Sequence, residues 1–306
     1  MRIAILGPGA VGGFLAGALE RSGQRATLVA REPAAELIAR HGLDVDSVRL
    51  GRFSVRPRAV FRLQEEPDAL IVATKAPALP AALQRIDGRP GIVVPLLNGL
   101  EHMPVLRERF GERVVAGSIR IEADRPQPTS VRHTSGFLRV DLGPGAGMEQ
   151  EGLLVALAAA LERAEVPARR LESEAQVLWS KLVRLNALAC TTSAYDLPLG
   201  DIRADPQRRA QLVAAVGEAV AVARAEGAEL ETPDTLAELE AAHAELRSSM
   251  QRDIAAGRPP ELDAIAGAVL RAGARHGLRC PTIEELAARV AARAGLPAPG
   301  APAPAS

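Results

Sequence analysis

Lys181 lies in the run Val177-Leu-Trp-Ser-Lys-Leu-Val-Arg-Leu-Asn186. Helical spacing would put it on one face with Val177, Leu178, Leu185 and Leu188. An ammonium held poorly hydrated among such neighbours has its pKa lowered from the free value of ~10.4. It then becomes a usable proton donor near neutral pH. The alternative is a lysine that extends past its apolar neighbours to water. Two other polar segments share this half of the chain. Ser248-Ser249-Met250 ends a helix-like stretch, and Glu261 opens the next helix after the break Ala256-Gly-Arg-Pro-Pro260. The helix dipole alone favours an acid in a first turn. Ser249 taken alone also reads as an ordinary polar helix residue.

A different chemistry is written at the other end. Gly7-Pro8-Gly9-Ala10-Val11-Gly12 follows the apolar run Ile3–Leu6 and leads into the helical stretch 14–21. That strand–turn–helix setting is what the dinucleotide fingerprint requires. Gly7 would permit the tight turn, Gly9 the approach of a pyrophosphate, and Gly12 close packing of helix on strand. The pyrophosphate would rest on the free N–H groups and the positive end of the helix.

These residues need elements to hold them, and the pattern supplies two kinds. Up to about residue 170, short apolar runs (3–6, 26–30, 69–73, 92–97 and 114–118) alternate with helical stretches (14–21, 34–40, 79–85 and 103–110). Such alternation predicts a mainly parallel sheet with helical crossovers. The runs 130–133 and 137–141, separated by Ser-Gly, predict an antiparallel hairpin, and 152–164 a further helix. Beyond residue 171 strand signals stop. Apolar spacings of three and four over 174–194, 206–226, 236–252, 262–276 and 283–294 predict an all-α bundle. The expected organisation is therefore a sheet domain over 1–170, a helical substrate and catalytic domain over 171–296, and a Pro/Ala-rich tail over 297–306 without an ordered element.

In open α/β sheets ligands bind beyond the carboxyl ends of the strands. The predicted strands deliver there the Gly7 loop, Arg31-Glu32, Thr74-Lys75 and Asn98-Gly99. A cation after the second strand suits the 2′-phosphate of NADP, whereas an acid suits the ribose hydroxyls of NAD. Arg31 comes first, so NADP is favoured; Glu32 beside it pulls the other way, and Arg31 also reads as a solvated surface residue.

Composition narrows the partners. Lys+Arg and Asp+Glu both total 37, and aromatic residues make up 2%, which gives no ground for expecting nucleic acid. No apolar run approaches the ~20 residues of a membrane span, and Ile3–Leu6 is too short for a signal-peptide core, so a cytoplasmic protein is expected. Cys190 and Cys280 lack metal-site or redox spacing and are expected to be buried free thiols; no metal is expected.

Gly7 to Gly12, Arg31, Thr74-Lys75-Ala76, Asn98-Gly99, Trp179-x-Lys181-Leu182, Ser248-Ser249-Met250-x-x-Asp253-Ile254 and Glu261, in that order, resemble the ketopantoate reductases (2-dehydropantoate 2-reductases) from residue 1 to about 290. The resemblance implies an α/β fold, a Rossmann-type mostly parallel domain followed by an all-α helical bundle. It implies NADPH as cofactor, a small 2-oxo acid as substrate, and allows a homodimer. Gly7, Pro8, Gly9, Ala10, Val11 and Gly12 would hold the pyrophosphate, Arg31 the 2′-phosphate, and Lys75 would lie beside the cofactor. Asn98 would lie near nicotinamide, ribose and substrate. Lys181 would be the general acid, Glu261 would support Lys181 and the cofactor, and Ser249 would contact the substrate.

The chain also departs from the pattern. Where the family commonly has asparagines four and eight residues after the lysine stand Leu185 and Ala189, and a third falls at about Leu199. Asn186 is one place off and would face another side of the helix. A buried amide-to-substrate hydrogen bond contributes ~0.5–1.5 kcal/mol net, so their loss would weaken or redirect substrate recognition. A reductase of another carbonyl, or a non-catalytic NADP-binding regulator, stays open on these residues.

Overall fold

In its first unit, Met1–Leu97 with His102–Val177, the chain runs β1 (Ile3–Leu6), α1 (Ala10–Arg21), β2 (Ala26–Val29), α2 (Glu32–His41), β3 (Leu43–Ser47), β4 (Gly51–Val55), β5 (Arg58–Val60) and β6 (Ala69–Val72). It continues through α3 (Leu79–Leu83), β7 (Ile92–Pro95), α4 (His102–Phe110), β8 (Gly117–Arg120), β9 (Ala123–Gln127), β10 (Ser130–His133), β11 (Arg139–Leu142), α5 (Met148–Arg163) and β12 (Ala168–Arg170). The structure, a computed structural model, describes residues 1–297 and 299; most of the Pro/Ala tail lies outside the described residues.

Five strands form one parallel sheet in the order β5-β2-β1-β6-β7. β1, β6 and β7 are buried at every residue, as strands covered on both faces must be, so their sequences show no alternation. From β1 the chain moves outward to β2 and later returns to β6 on the other side. The strand order thus reverses beside β1, the switch point where ligands bind in such sheets.

The expected fifth parallel strand, 114–118, does not form. Val115 N donates to Val93 O (2.9 Å), and the next rung would need an N–H from Pro95, which has none. The chain leaves the ladder, and β8 pairs antiparallel with β11 in a three-stranded sheet β12-β11-β8. β5 supplies the fifth parallel strand instead. The expected hairpin of 130–133 with 137–141 is also corrected. β10 pairs with β9 and β3, in a sheet ordered β4-β3-β10-β9, while β11 belongs to the other sheet. Between them Ser135 Oγ accepts from Glu122 N and donates to Phe137 O, which ties the Ser-Gly segment down as a connector. The four-stranded sheet packs against α1. There the ring of buried His133 meets Phe14 edge-on and lies between Ser47 Oγ (2.8 Å) and Ser135 Oγ (3.1 Å).

The second unit comprises Asn98–Glu101 and the chain from Leu178, and is helical: α6 (Glu174–Tyr195, which begins in the first unit), α7 (Leu199–Ala204), α8 (Pro206–Ala225), α9 (Thr232–Glu240), α10 (Ser249–Ala255), α11 (Ala268–Arg275) and α12 (Pro281–Ala294). The single helix expected over 236–252 is broken at 241–248. Leu199 N and Gly200 N, at the start of α7, take the carbonyls of Leu246 and Ala244, which a continuous helix would have used itself. Asp205 caps α8 by accepting from Arg208 N (2.8 Å). Cys190 and Cys280 are free and buried, and burial pushes their thiols up to about 12 and about 11. No helix among the described residues is long and apolar enough to cross a membrane. Among the described residues no group of three or more His, Cys, Asp or Glu could hold a metal ion.

Candidate active site

The loop from β1 to α1 is shaped by contacts that exclude side chains. Gly7 has φ +109° and donates to Val29 O (3.0 Å). A Cβ on Gly12 would sit 2.0 Å from the Gly7 carbonyl oxygen, so the helix start can lie on the loop only without a side chain there. Gly9 is the N-cap of α1 and no side chain caps it; the first bond to its carbonyl comes from Gly13 N (2.8 Å). Pro8, Ala10 and Val11 are half-buried, and the N–H groups of this first turn are left for an outside acceptor.

Thr74, after β6, adds an orphan. Its Oγ1 is buried without a hydrogen-bond partner, and its Cγ2 would lie 3.0 Å from a Cβ on Gly7. A buried hydroxyl left unpaired is expensive, and the methyl of the same side chain lies against the loop. Free helix-start donors, a glycine cradle and an unpaired hydroxyl together fit the pyrophosphate and ribose of a dinucleotide. Arg31 is exposed at the extended N-cap of α2, with exposed Glu32 after it, and forms no ion pair among the described residues. Lys75 is exposed and precedes the 3₁₀ turn Ala76–Ala78.

The second group lies in the helical unit. Asn98 Nδ2 donates to Glu261 Oε2 at 2.8 Å, and both residues are half-buried. The segment Asn98–Glu101 packs with this unit through Gly99, at φ +81°. A Cβ there would be 2.2 Å from Ala264 O. Arg271 ties the other end, reaching Glu101 Oε1 (2.6 Å) and Asp263 Oδ1 (2.7 Å). The helix expected over 262–276 begins instead with a π turn, Asp263–Gly267, in which Ala268 N–H bonds Asp263 O. Such turns recur at functional sites. Here the widened turn is the surface that meets Gly99.

Lys181 is half-buried on α6, with Val177, Leu178 and Leu188 buried and Leu185 half-buried. Ala189 and Leu199 are fully buried. Asn186 is also fully buried; its Oδ1 accepts from Cys190 Sγ and its Nδ2 has no partner, so it does not share the exposure of Lys181 and Leu185. Ser249 is exposed at the start of α10. Its neighbour Ser248 is buried as the N-cap, accepting from Gln251 N (3.1 Å) and Thr192 Oγ1 (3.0 Å). Sequence reasoning missed Ser248's structural part, although a serine before a helical stretch is a standard cap signal. It also missed Arg125 on β9, which donates to the Pro8 carbonyl. Its strand carries Asp124 and Gln127 besides it, a proline and no apolar alternation, so no periodic signal marked it.

Two family profiles match the chain, ketopantoate reductase PanE/ApbA over residues 3–147 and ketopantoate reductase PanE/ApbA C terminal over 175–294. The chain belongs to the ketopantoate reductase family. A 2-dehydropantoate 2-reductase of Caulobacter vibrioides is 32% identical over 289 residues, covering 91% of this chain and 94% of the relative. Among solved structures, a 2-dehydropantoate 2-reductase from Geobacter metallireducens superposes with TM-score 0.86 at 28% identity, covering 95% of this chain and 99% of that one. D-mandelate dehydrogenase with NADH and anilino(oxo)acetate superposes with TM-score 0.85 at 25% identity, covering 96% and 99%. This ketopantoate reductase family member is an oxidoreductase, and its Rossmann-type sheet unit and helical unit are the architecture of the family.

Proposed function

We propose that this oxidoreductase uses NADPH to reduce 2-dehydropantoate, or a closely related 2-oxo acid, at its C2 carbonyl, as a cytoplasmic step of pantothenate biosynthesis. Residues 1–170 bind the cofactor and 171–296 carry substrate binding and catalysis. The observation that carries the reading is the 2.8 Å bond between Asn98 and Glu261. It joins two residues 163 positions apart, both implied by the family pattern, in the unit that also holds Lys181.

The loop Gly7–Gly12 holds the pyrophosphate on free N–H groups, Arg31 meets the 2′-phosphate, and Lys75 stands beside the cofactor. Reduced nicotinamide, when bound, supplies the hydride. Lys181 stabilises the developing alkoxide and protonates the carbonyl oxygen. Glu261 keeps the Asn98 amide oriented by accepting one of its N–H bonds, which leaves the amide oxygen and the second N–H for ribose or substrate. Glu261 also supports the ammonium of Lys181, and Ser249 contacts the substrate.

One observation favours a second reading of the substrate. Leu185, one turn from Lys181 and equally half-buried, gives that face an alkyl group where an amide would bind a hydroxyl. A 2-oxo acid with an apolar substituent, as in the relative named for D-mandelate, would suit such a face better. Steady-state assays with NADPH and NADH, against 2-dehydropantoate and a panel of aliphatic and aromatic 2-oxo acids, decide between them. Preferred NADPH consumption with 2-dehydropantoate supports the first reading, and selective turnover of apolar 2-oxo acids the second. Cofactor binding with no turnover of any 2-oxo acid would make the chain a non-catalytic binder and overturn both.

A further inference from the structure

Several arginines of the sheet unit answer a carboxylate: Arg58 meets Glu65 at 2.6 Å, Arg62 meets Asp87 at 2.7 Å, and Arg170 meets Glu151 at 2.8 Å. Arg125 and Arg31 have no such partner among the described residues. Arg125 lies on β9, the edge strand of the sheet that covers α1. It is half-buried and donates from Nη1 to the Pro8 carbonyl, inside the glycine loop. The rest of its donor fork has no acceptor among the described residues. Burial first, and the charge of Arg31 second, hold its pKa below the ordinary arginine value. Two like charges therefore act on one another beside the loop, one of them partly desolvated, and neither is in an ion pair among the described residues. Such an arrangement is unfavourable unless an anion completes it.

We propose that Arg125 is the second guanidinium of the 2′-phosphate subsite, gripping with Arg31 the phosphate on the adenosine ribose of NADPH. The inference rests on the NADPH reading above. The charges of the pyrophosphate are already served by the helix start. A 2′-phosphate is a monoester with a charge of about −1.5 to −2 at pH 7 and three acceptor oxygens, enough for two forks. Arg125 also settles the conflict at the end of β2. Arg31 and Glu32 alone sum to zero charge, whereas a third group, Arg125, leaves the subsite net positive.

Calorimetric titration of the full chain with NADPH, NADH, adenosine 2′,5′-bisphosphate and AMP tests this. Arg125→Ala should weaken NADPH and the bisphosphate about tenfold or more, a loss in the range of a charge-assisted hydrogen bond, and leave NADH and AMP unchanged. Arg125→Lys should recover part of the loss, since it keeps the charge without the fork. Unchanged AMP and NADH affinities also report that the variants are folded. Equal losses for NADPH and NADH, or no loss in either variant, overturn the proposal. An unaltered chain that binds NADH as tightly as NADPH overturns the NADPH reading itself, and this inference with it. A preference for NADPH that survives Arg125→Ala overturns this inference alone.

Discussion

The glycine loop gathers its donors within six consecutive residues, Gly7 to Gly12, and presents backbone atoms, so the side chains of Ala10 and Val11 could change without altering what is offered. The Asn98–Glu261 pair gathers its groups from positions 163 apart and presents side chains held by tertiary packing: Gly99 on the π turn, and Arg271 between Glu101 and Asp263. The first site is sensitive to an added Cβ and tolerant of chemistry. The second is sensitive to chemistry, and the unit that holds it also carries Leu185 and Ala189, where the family resemblance leads one to expect asparagines. On the proposed reading, binding of a common cofactor and choice of substrate fall in structures of different mutability.

The contrast can be broken most forcefully at Lys181. Lys181→Ala should lower kcat by about 10²–10⁴, the usual worth of a positioned general acid, while the dissociation constant for NADPH stays within about twofold. Full turnover in that variant would remove the lysine from the chemistry. The converse change is Gly12→Ala. Its Cβ would meet the Gly7 carbonyl oxygen at 2.0 Å, so loop or helix must shift. Cofactor affinity should fall about tenfold or more, whereas kcat at saturating cofactor changes little, as initial-rate analysis would show.

A smaller effect separates stability from either site. Burial holds the His133 imidazole below its ordinary pKa. Below the unfolded value of ~6.5 the unfolded chain binds more protons than the folded one. The stabilisation from neutral His133 is therefore complete above about pH 6.5 and is lost as pH falls toward the folded pKa. Melting temperatures of the parent should drop across that window. His133→Gln should melt lower at pH 8, yet with a flatter dependence between pH 6.5 and 5. Parallel slopes for the two proteins would assign the acid sensitivity elsewhere.

What could be read from residues alone followed the same division. α1 and four strands of the parallel sheet, β1, β2, β6 and β7, declared themselves through contiguous apolar runs and glycines. The missing rung at Pro95 is also in the sequence, yet it acts only once β8 is brought alongside, so the strand expected at 114–118 went astray. β3 and β4 carry polar residues between their core positions, Leu43-Asp-Val-Asp-Ser47 for instance, and need a partner sheet over α1 to become strands. In the bundle, helix periodicity was plain, but the interruption at 241–248 depends on α7 claiming the carbonyls of Ala244 and Leu246. Asn98 stood out as a strand-end amide and Glu261 as a first-turn acid, and the resemblance gave them roles. Their bond, and the neighbourhood of Arg31 and Arg125, arise only from packing.

The two sulfhydryls have a practical corollary. Cys190 and Cys280 are enclosed and held protonated far above neutral pH, and alkylating reagents act on the thiolate. The chain is in effect a cysteine-blank scaffold while folded. Fluorophores could be attached at chosen exterior sites on either unit without first removing its native sulfur.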